Sequence, residues 1–242
     1  MNRIPIGPIV VSLALVVAGG VYYAVALRDD RPAPRADGTL AMVVWDIGGE
    51  PRAFDAETIA GVLRENRANL SALVGLSSSE QADHIVAALG GGWHVAAVSA
   101  DTANTSYLVL LAKDGLGQVD QHLVDAGCSR TAIVFDISDS QRRLTRIICC
   151  DAEGDGPDCV QQYVDDVIAW CEGTPAALTV VTGRLGAARL PVAYAPVHAH
   201  DGSRSGGCTV YVAGTADIST RPVGAVDATC PEHEPVLIEI AQ

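Results

Sequence analysis

The chain opens with one long apolar segment, and shorter apolar segments with the periods of strands and helices follow it. No residue of the segment 4–27 is charged, and about 20 apolar residues, each rising about 1.5 Å, are needed to cross the core of a bilayer. The segment therefore predicts a transmembrane helix, and with it a membrane anchor over residues 1–27. Gly19 and Gly20 would let a helix of another protein approach closely.

Two other interpretations of this segment stay open. One is a buried core helix, which is less favoured because no polar face interrupts the apolar residues. The other is a signal peptide cleaved after Ala26, because Ala24-Val25-Ala26 has the small-x-small pattern of a cleavage site. The segment is long for a signal peptide, and Arg3 supplies the only side-chain charge in front of it.

Residues 28–38 mix charged residues with prolines and show no hydrophobic periodicity, which is typical of a solvated linker. The remaining segment, 39–242, has a length suited to one domain with its own core. Apolar stretches of strand length recur along it and read LAMVVWDI, LSALVGL, WHVAAVS, SYLVLLA, QVDQHLV, RTAIVFDI, LTRIICC, ALTVVTG, CTVYVAG and PVLIEIAQ. The close spacing of the middle stretches predicts hairpins.

Three segments have the period and the end signals of helices. Asp55 is suited to cap the first, and Ser78 with Gln81 forms a capping box for the second. The predicted helices end near Asn66, Leu89 and Cys171, and the third begins near Cys159. Helices mixed with runs of antiparallel strands predict an α/β (α+β) fold, a four-layer sandwich of two sheets packed face to face and flanked by helices.

The composition is strongly acidic, with a formal charge of −13. Proteins bind phosphate backbones mainly through Lys and Arg, so such a surface repels nucleic acid over most of its area. We therefore expect no nucleic-acid partner.

The cysteines bear on the compartment. They stand at positions 128, 149, 150, 159, 171, 208 and 230, without the CxxC spacing of a zinc ribbon. The short turn between Cys150 and Cys159 predicts a disulfide there, and the odd count leaves a thiol free or bound to another chain. Buried thiols are the alternative for Cys128 and Cys171.

The side of the membrane is predicted by two opposing signals. The cysteine content favours an oxidising, extracytoplasmic compartment. The positive-inside count opposes it, since Arg28, Arg31 and Arg35 follow the apolar segment. We expect a single-pass membrane protein with a periplasmic or extracytoplasmic domain.

Several local sequences, in this order, resemble the endonuclease/exonuclease/phosphatase superfamily of Mg-dependent phosphodiesterases and phosphatases. They read VVWDIGG, FDAETIAGVLREN, ANLSALVGL, SEQADHIVAALGGGW, VVTGRLGA, CTVYVAG and CPEHEPVLIEI. Family members open with a strand ending in W-N-I and close with an S-D-H-x-P-V motif. The resemblance covers roughly 40–242 and implies a DNase I-like fold over residues 39–242.

The resemblance also implies a metal site, in which carboxylate or amide oxygens hold the ion near the scissile phosphate. Asp46 stands where the family has a metal-site Asn and remains a suitable ligand. The metal-binding Glu falls on Gly75, and the Asp and Asn of the G-D-F-N motif fall on Gly183 and Leu185. Most ligands of the family's site are therefore missing from this chain.

The family's other site residues are retained only in part. In the closing motif Glu232 replaces the Asp, and His233 matches the His. The His that ends the family's central strand has no counterpart, and Cys150 or Asp151 occupies its neighbourhood. His233 and Asp46 are also explained as strand-end residues that satisfy hydrogen bonds.

A separate pair, His198 and His200, forms an H-x-H motif that could bind a transition metal if His233 came near. Two solvated histidines in a surface loop are the favoured alternative.

These observations predict a non-catalytic, membrane-anchored pseudoenzyme without a cofactor. We expect it to act as an accessory subunit or protein-binding scaffold of an integral-membrane complex of the respiratory or photosynthetic kind. The first alternative is a divergent metal-dependent phosphodiesterase or phosphatase, and the second is a module that binds a ligand in the old cleft without turnover.

Overall fold

Two six-stranded sheets form the centre of the computed structural model. The structure describes residues 38–48, 55–101, 106–139, 141–152, 156–186, 188–198, 208–223 and 234–241. All of them belong to one compact unit, Ala36–Gln242.

The first sheet has the strand order β11-β12-β1-β2-β4-β3. Its strands are β1 (Thr39–Asp46), β2 (Leu70–Leu76), β3 (Trp93–Asp101), β4 (Ser106–Lys113), β11 (Ile218–Pro222) and β12 (Val236–Ala241). β1 and β2 are parallel, and the other neighbouring pairs are antiparallel.

The second sheet has the strand order β5-β6-β7-β8-β10-β9. Its strands are β5 (Gln118–Ala126), β6 (Arg130–Ser138), β7 (Leu144–Asp151), β8 (Leu178–Arg184), β9 (Ala195–His198) and β10 (Thr209–Gly214). Here β7 and β8 form the parallel pair. A 3-10 turn, Gly127–Ser129, joins β5 to β6.

In the described part of the chain, three helices cover the outer faces: α1 (Ala56–Glu65), α2 (Ser79–Leu89) and α3 (Pro157–Glu172). One apolar cluster lies between the sheets, a second lies between the first sheet and α1 and α2, and a third lies between the second sheet and α3. The central strands, such as β1, β2 and β8, are buried on both faces because each sheet is covered on both sides. This arrangement confirms the predicted four-layer sandwich.

The predicted helix ends and caps are confirmed. Asp55 Oδ1 accepts the Thr58 N–H at 2.7 Å, and Ser78 Oγ accepts the Gln81 N–H at 3.3 Å. The Gln81 side chain returns to the Ser77 N–H instead of the Ser78 N–H. α3 begins two residues before the predicted start because Pro157, whose fixed φ suits a first turn, opens it.

Two edge strands, β9 and β11, stand where the sequence predicts irregular loops. β11 reads ISTRP and β9 reads APVH, so neither has the alternation of a half-buried strand. Backbone pairing with β12 and β10 holds them in place. Such strands are set by their neighbours, since their own sequences carry little strand signal.

The predicted disulfide between Cys150 and Cys159 is wrong. Cys159 is bonded to Cys128, with a Cα–Cα distance of 5.9 Å, and Cys150 is a buried free thiol. The alternation of β7 turns Cys150 into the apolar cluster beneath α3. The turn that carries Cys128 lies beside the first turn of α3, where Cys159 emerges.

The predicted anchor over 1–27, with Gly19, Gly20 and the cleavage motif, and the linker up to residue 37 lie outside the described residues. Within the described ranges, no helix has both the length and the apolar character that crossing a bilayer requires.

Candidate functional site

The carboxyl ends of β1, β7 and β8 meet at one end of the sandwich. β1 ends at Asp46, β7 at Asp151 and β8 at Arg184. All three residues are buried, with relative exposures of 2%, 7% and 8%. Charged groups that are this strongly buried are rare unless they are paired, so this end of the sandwich is the candidate functional site.

Arg184 holds the centre of this cluster. Its Nε and Nη2 donate to the two carboxylate oxygens of Asp151 at 2.9 and 2.6 Å, in the two-pronged geometry of a strong ion pair. Its Nη1 lies 3.7 Å from Asp46 Oδ1 on the opposite sheet. One guanidinium therefore stands between carboxylates of both sheets.

Two further described side chains, Ser106 and Arg130, belong to the network. Ser106 Oγ lies 3.2 Å from Arg184 Nη2 and 3.4 Å from Asp151 Oδ2. Arg130, which begins β6, donates from Nη1 to the Asp151 carbonyl oxygen at 2.6 Å. A cavity of about 10 Å³ borders Ser106, Arg130 and Asp151, which is no larger than a single water molecule.

Strand alternation explains why Arg184 reaches this place. Leu178 and Val180 of β8 lie in the cluster between the sheets, whereas Val181 and Leu185 lie beneath α3. Residues two apart share a face, so the side chain of Arg184 points between the sheets. Leu185 points away from Asp46 and is not part of the cluster.

Of the predicted site residues, Asp46 belongs to the charged cluster with Asp151 and Arg184. Gly75 lies in β2 at an irregularity of the pairing with β4, and its φ is 88°. Gly183 has a φ of 118°, and a Cβ there would overlap the Cys150 carbonyl group. Glycine is required at Gly183 because no other residue combines that φ with so close a backbone contact.

Of the predicted histidines, the structure describes only the backbone position of His198. His198 ends the edge strand β9, where it pairs with Val210. His200, Glu232 and His233 lie outside the described residues, so the proposed metal pairing of these histidines stays a prediction.

The described side chains do not fit the divalent cation that the family resemblance implies. Asp46 and Asp151 are the carboxylates at the strand ends, and the Arg184 guanidinium lies against both. A cation placed between them would meet a permanent positive charge. Among the described residues, no group of three or more His, Cys, Asp or Glu is arranged to hold a metal ion.

The thiols near this cluster are poor nucleophiles. Burial, together with the negative charge of Asp46, raises the pKa of Cys208 well above its ordinary value, although Arg184 opposes the shift. Burial also raises the pKa of Cys149, and that of Cys150 to about 12. Since the thiolate is the reactive form, these groups are inert at neutral pH.

A larger cavity, of about 490 Å³, lies at the other end of the sandwich. Its lining includes Thr39, the first residue of β1, whereas the charged cluster contains Asp46, the last. The cavity is therefore remote from the charged cluster, and no predicted site residue lines it.

Sequence reasoning missed Arg184, Arg130 and Ser106. A signal was present, because LTVVTGR and LTRIICCD are buried strands whose last residues are charged. A charged residue that ends an apolar strand on its inward face needs a partner. The sequence gives no direct sign of which partner, since 33 residues separate Asp151 from Arg184.

No family model matches the chain, and no curated protein matches it in sequence. Solved structures do match its fold. An endonuclease/exonuclease/phosphatase from Bacteroides vulgatus has a TM-score of 0.64 at 13% identity, covering 84% of this chain and 98% of that one. Truncated TDP2 from Caenorhabditis elegans gives 0.60 at 13%, covering 84% and 98%.

The human Nocturnin catalytic domain, solved with a sulfate anion, gives a TM-score of 0.61 at 8% identity, covering 84% of this chain and 93% of that domain. Identities this low establish the fold alone. The chain therefore has the DNase I-like fold of endonuclease/exonuclease/phosphatase proteins.

Proposed function

We propose that this protein is a non-catalytic, membrane-anchored pseudoenzyme domain that acts as an accessory subunit or protein-binding scaffold of a membrane complex. The observation that carries the proposal is the position of Arg184. Its guanidinium binds Asp151 through two hydrogen bonds and lies 3.7 Å from Asp46. The positive charge at this end of the sandwich is thus supplied by the chain itself.

The position of Arg184 matters because phosphoryl transfer in such enzymes depends on metal ions. Metal ions stabilise the negative charge that develops on the transferring group, and their oxygen ligands must be free to coordinate. Here the Asp151 carboxylate is used by Arg184, and Gly75 offers no side chain where the family has a Glu. Arg184 could bind a phosphate only by giving up its buried partners, which costs several kcal/mol.

The proposed location rests on the apolar segment 4–27 and on the Cys128–Cys159 disulfide. Disulfides persist mainly outside the cytoplasm, so the bond supports a periplasmic or extracytoplasmic domain. The small residues Gly19 and Gly20 supply a surface for close helix packing within the bilayer, which favours a partner that is itself an integral-membrane protein.

A divergent metal-dependent phosphodiesterase or phosphatase is the alternative function. It is favoured by the fold, since one similar structure is named an endonuclease/exonuclease/phosphatase and another is the catalytic domain of Nocturnin. It would need a site rebuilt from Asp46, His198, His200 and His233.

One assay separates the two functions. The full chain in detergent is incubated with bis(p-nitrophenyl) phosphate and with p-nitrophenyl phosphate, each with Mg²⁺ or Mn²⁺. We expect no metal-dependent release of nitrophenol above that of the Asp46→Asn and His233→Ala variants. Hydrolysis that requires the metal and disappears in both variants would establish the alternative.

The subunit proposal has its own test. Membranes are solubilised in a mild detergent, and the complex is resolved on native gels. We expect the protein in a band heavier than its own mass, and the Gly19→Ile/Gly20→Ile variant in a lighter one, while Leu13→Ile serves as the matched control within the segment. A lone monomer, under conditions that keep other membrane complexes intact, would contradict the proposal.

A further inference from the structure

The Cys128–Cys159 disulfide lies next to the charged cluster in the chain, although neither cysteine belongs to it. Cys128 is two residues before Arg130, which donates to the Asp151 carbonyl oxygen. Asp151 ends the strand that leads into α3, and Cys159 lies in the first turn of that helix. The disulfide and the Arg130 hydrogen bond therefore join the same two segments, the turn before β6 and the chain from the end of β7 to the start of α3. The disulfide lies on the outside of the sandwich, and the hydrogen bond lies inside it.

The backbone of the turn is held in an unfavourable conformation. Cys128 and Ser129 have φ values of 66° and 57°. Left-handed backbone is uncommon for residues other than glycine, and two such residues in succession cost free energy that something else must offset. The crosslink to α3 holds Cys128, so breaking it lets these two residues relax toward ordinary dihedral angles.

The beginning of the turn has a second attachment. The Gly127 N–H donates to Asp166 Oδ2 of α3 at 2.9 Å, and a Cβ added at Gly127 would clash with the Gln162 side chain. Reduction would therefore leave Gly127 in place and free the chain from Cys128 onward. The next residue with a partner in the cluster is Arg130, so the effect is directed toward that side chain.

The sulfur chemistry of this pair differs from that of the other described cysteines. Cys128 is exposed and Cys159 is partly exposed, whereas Cys149, Cys150, Cys171 and Cys208 are buried free thiols. The first turn of a helix also stabilises a thiolate, which makes Cys159 the better leaving group of the disulfide. A reductant in solution would thus meet this bond before any other described sulfur.

We propose that the Cys128–Cys159 disulfide is a redox-sensitive clamp that fixes Arg130 against the Asp151 carbonyl group and so controls the shape of this end of the sandwich. Its partner is a dithiol of the thioredoxin class. One thiolate of the dithiol attacks the Cys128 sulfur, the disulfide breaks, and Cys159 leaves as a thiolate that takes up a proton. The second thiol then displaces Cys128, so the dithiol is oxidised to a disulfide as the clamp gains two electrons and two protons.

The clamp is tested on the full chain in detergent by hydrogen exchange with mass spectrometry, before and after reduction by thioredoxin or dithiothreitol. Alkylation verifies that only Cys128 and Cys159 have reacted. We expect amides at 128–131 and at 151–152 to exchange at least tenfold faster after reduction, while Gly127, β1 and β12 stay unchanged. The Ala152 amide is a sensitive probe, since it donates to the Arg184 carbonyl oxygen at 2.8 Å.

Two variants serve as controls. Cys128→Ser/Cys159→Ser should match the reduced protein and should no longer respond to reductant. Arg130→Gln, with the disulfide intact, should accelerate exchange at 151–152 without affecting Gly127. Acceleration at 128–131 alone would overturn the clamp, because the disulfide would then hold only its own turn. Equal acceleration across both sheets would overturn it as well, because the bond would then be a general stabiliser.

Discussion

Replacing Arg184 by Met removes a buried charge while keeping a side chain of similar length. The substitution leaves Asp151 and Asp46, which are 7% and 2% exposed, without the guanidinium between them. The variant therefore tests whether the charged cluster stabilises the fold as a unit.

The magnitude follows chiefly from the lost contacts with Asp46 and Asp151. At 3.7 Å from Asp46, the guanidinium contributes about 4 kcal/mol of Coulomb attraction at an effective dielectric constant of about 20. The two hydrogen bonds to Asp151 add to this, and the desolvation of Arg184 offsets part of it. Removing one partner of a buried pair typically costs about 3–5 kcal/mol, and we expect a loss in that range.

The assay is urea unfolding of the full chain in detergent, followed through the fluorescence of Trp45, which is fully buried beside Asp46. With a slope of about 2–3 kcal/mol per molar urea for a domain of this size, the midpoint should fall by about 1–2.5 M. Arg143→Met is the matched control, because Arg143 binds Asp139 at a similar distance, 2.7 Å, but is 54% exposed. Its midpoint should stay within the error of the measurement.

The double variant Arg184→Met/Asp151→Asn should recover part of the loss, because it removes one of the carboxylates that the single change leaves unpaired. If Arg184→Met shifts the urea midpoint no more than Arg143→Met does, the Arg184 guanidinium does not stabilise the buried carboxylates of Asp46 and Asp151.

Three further predictions concern other parts of the fold. Asp136→Ala should lower the free energy of unfolding in urea by about 3–5 kcal/mol, because it leaves the buried Arg146 without the carboxylate that its Nε and Nη2 bind at 2.8 and 2.7 Å. Adding Arg146→Met should restore part of this stability, and an unchanged urea midpoint in Asp136→Ala would contradict the pairing. Gly183→Ala should cost at least about 3 kcal/mol, because the new Cβ would meet the Cys150 carbonyl group at a φ of 118°; Gly91→Ala, which has no atom within 4 Å of its Cβ, is the control, and equal effects would refute the clash. Burial raises the pKa of Cys150 to about 12. The stability that the neutral thiol gives the fold is therefore fully present below pH 9 and is lost as the pH rises toward 12, at up to about 1.4 kcal/mol per pH unit. Between pH 8 and 11 the free energy of unfolding should fall less steeply for Cys150→Ala than for the unchanged protein, and equal slopes would contradict the prediction.

The parts of the fold that local chemistry determines were predictable from the sequence. Asp55 and Ser78 each bond to an amide three residues away, and a pattern within one turn of helix is enough to find them. The disulfide was mispredicted because Cys159 is closer in sequence to Cys150 than to Cys128, 31 residues away. Only the packing of α3 on the second sheet decides that pairing.

The candidate site was also predictable only where local sequence determines it. Asp46 could be identified from the residues next to it in the chain, because the VVWDIGG sequence resembles a known motif. Arg184 could not, since its importance depends on which face of β8 it occupies and on the two strands that end beside it. A shift of one residue along β8 moves a side chain from the space between the sheets to the layer beneath α3.

Arg184 and Gly75 both bear on the metal site that the family resemblance implies. At a φ of 88° in β2, Gly75 has a backbone that a glutamate adopts only with strain. A glutamate at that position, where the family resemblance assigns an oxygen ligand, would therefore need a change in the course of β2. Removing Arg184 alone would leave Asp46 and Asp151 facing each other with no further described carboxylate to complete a coordination shell. Two carboxylates, Asp46 and Asp151, are buried at this end of the sandwich, and the Arg184 guanidinium, which lies against both, offsets part of their negative charge.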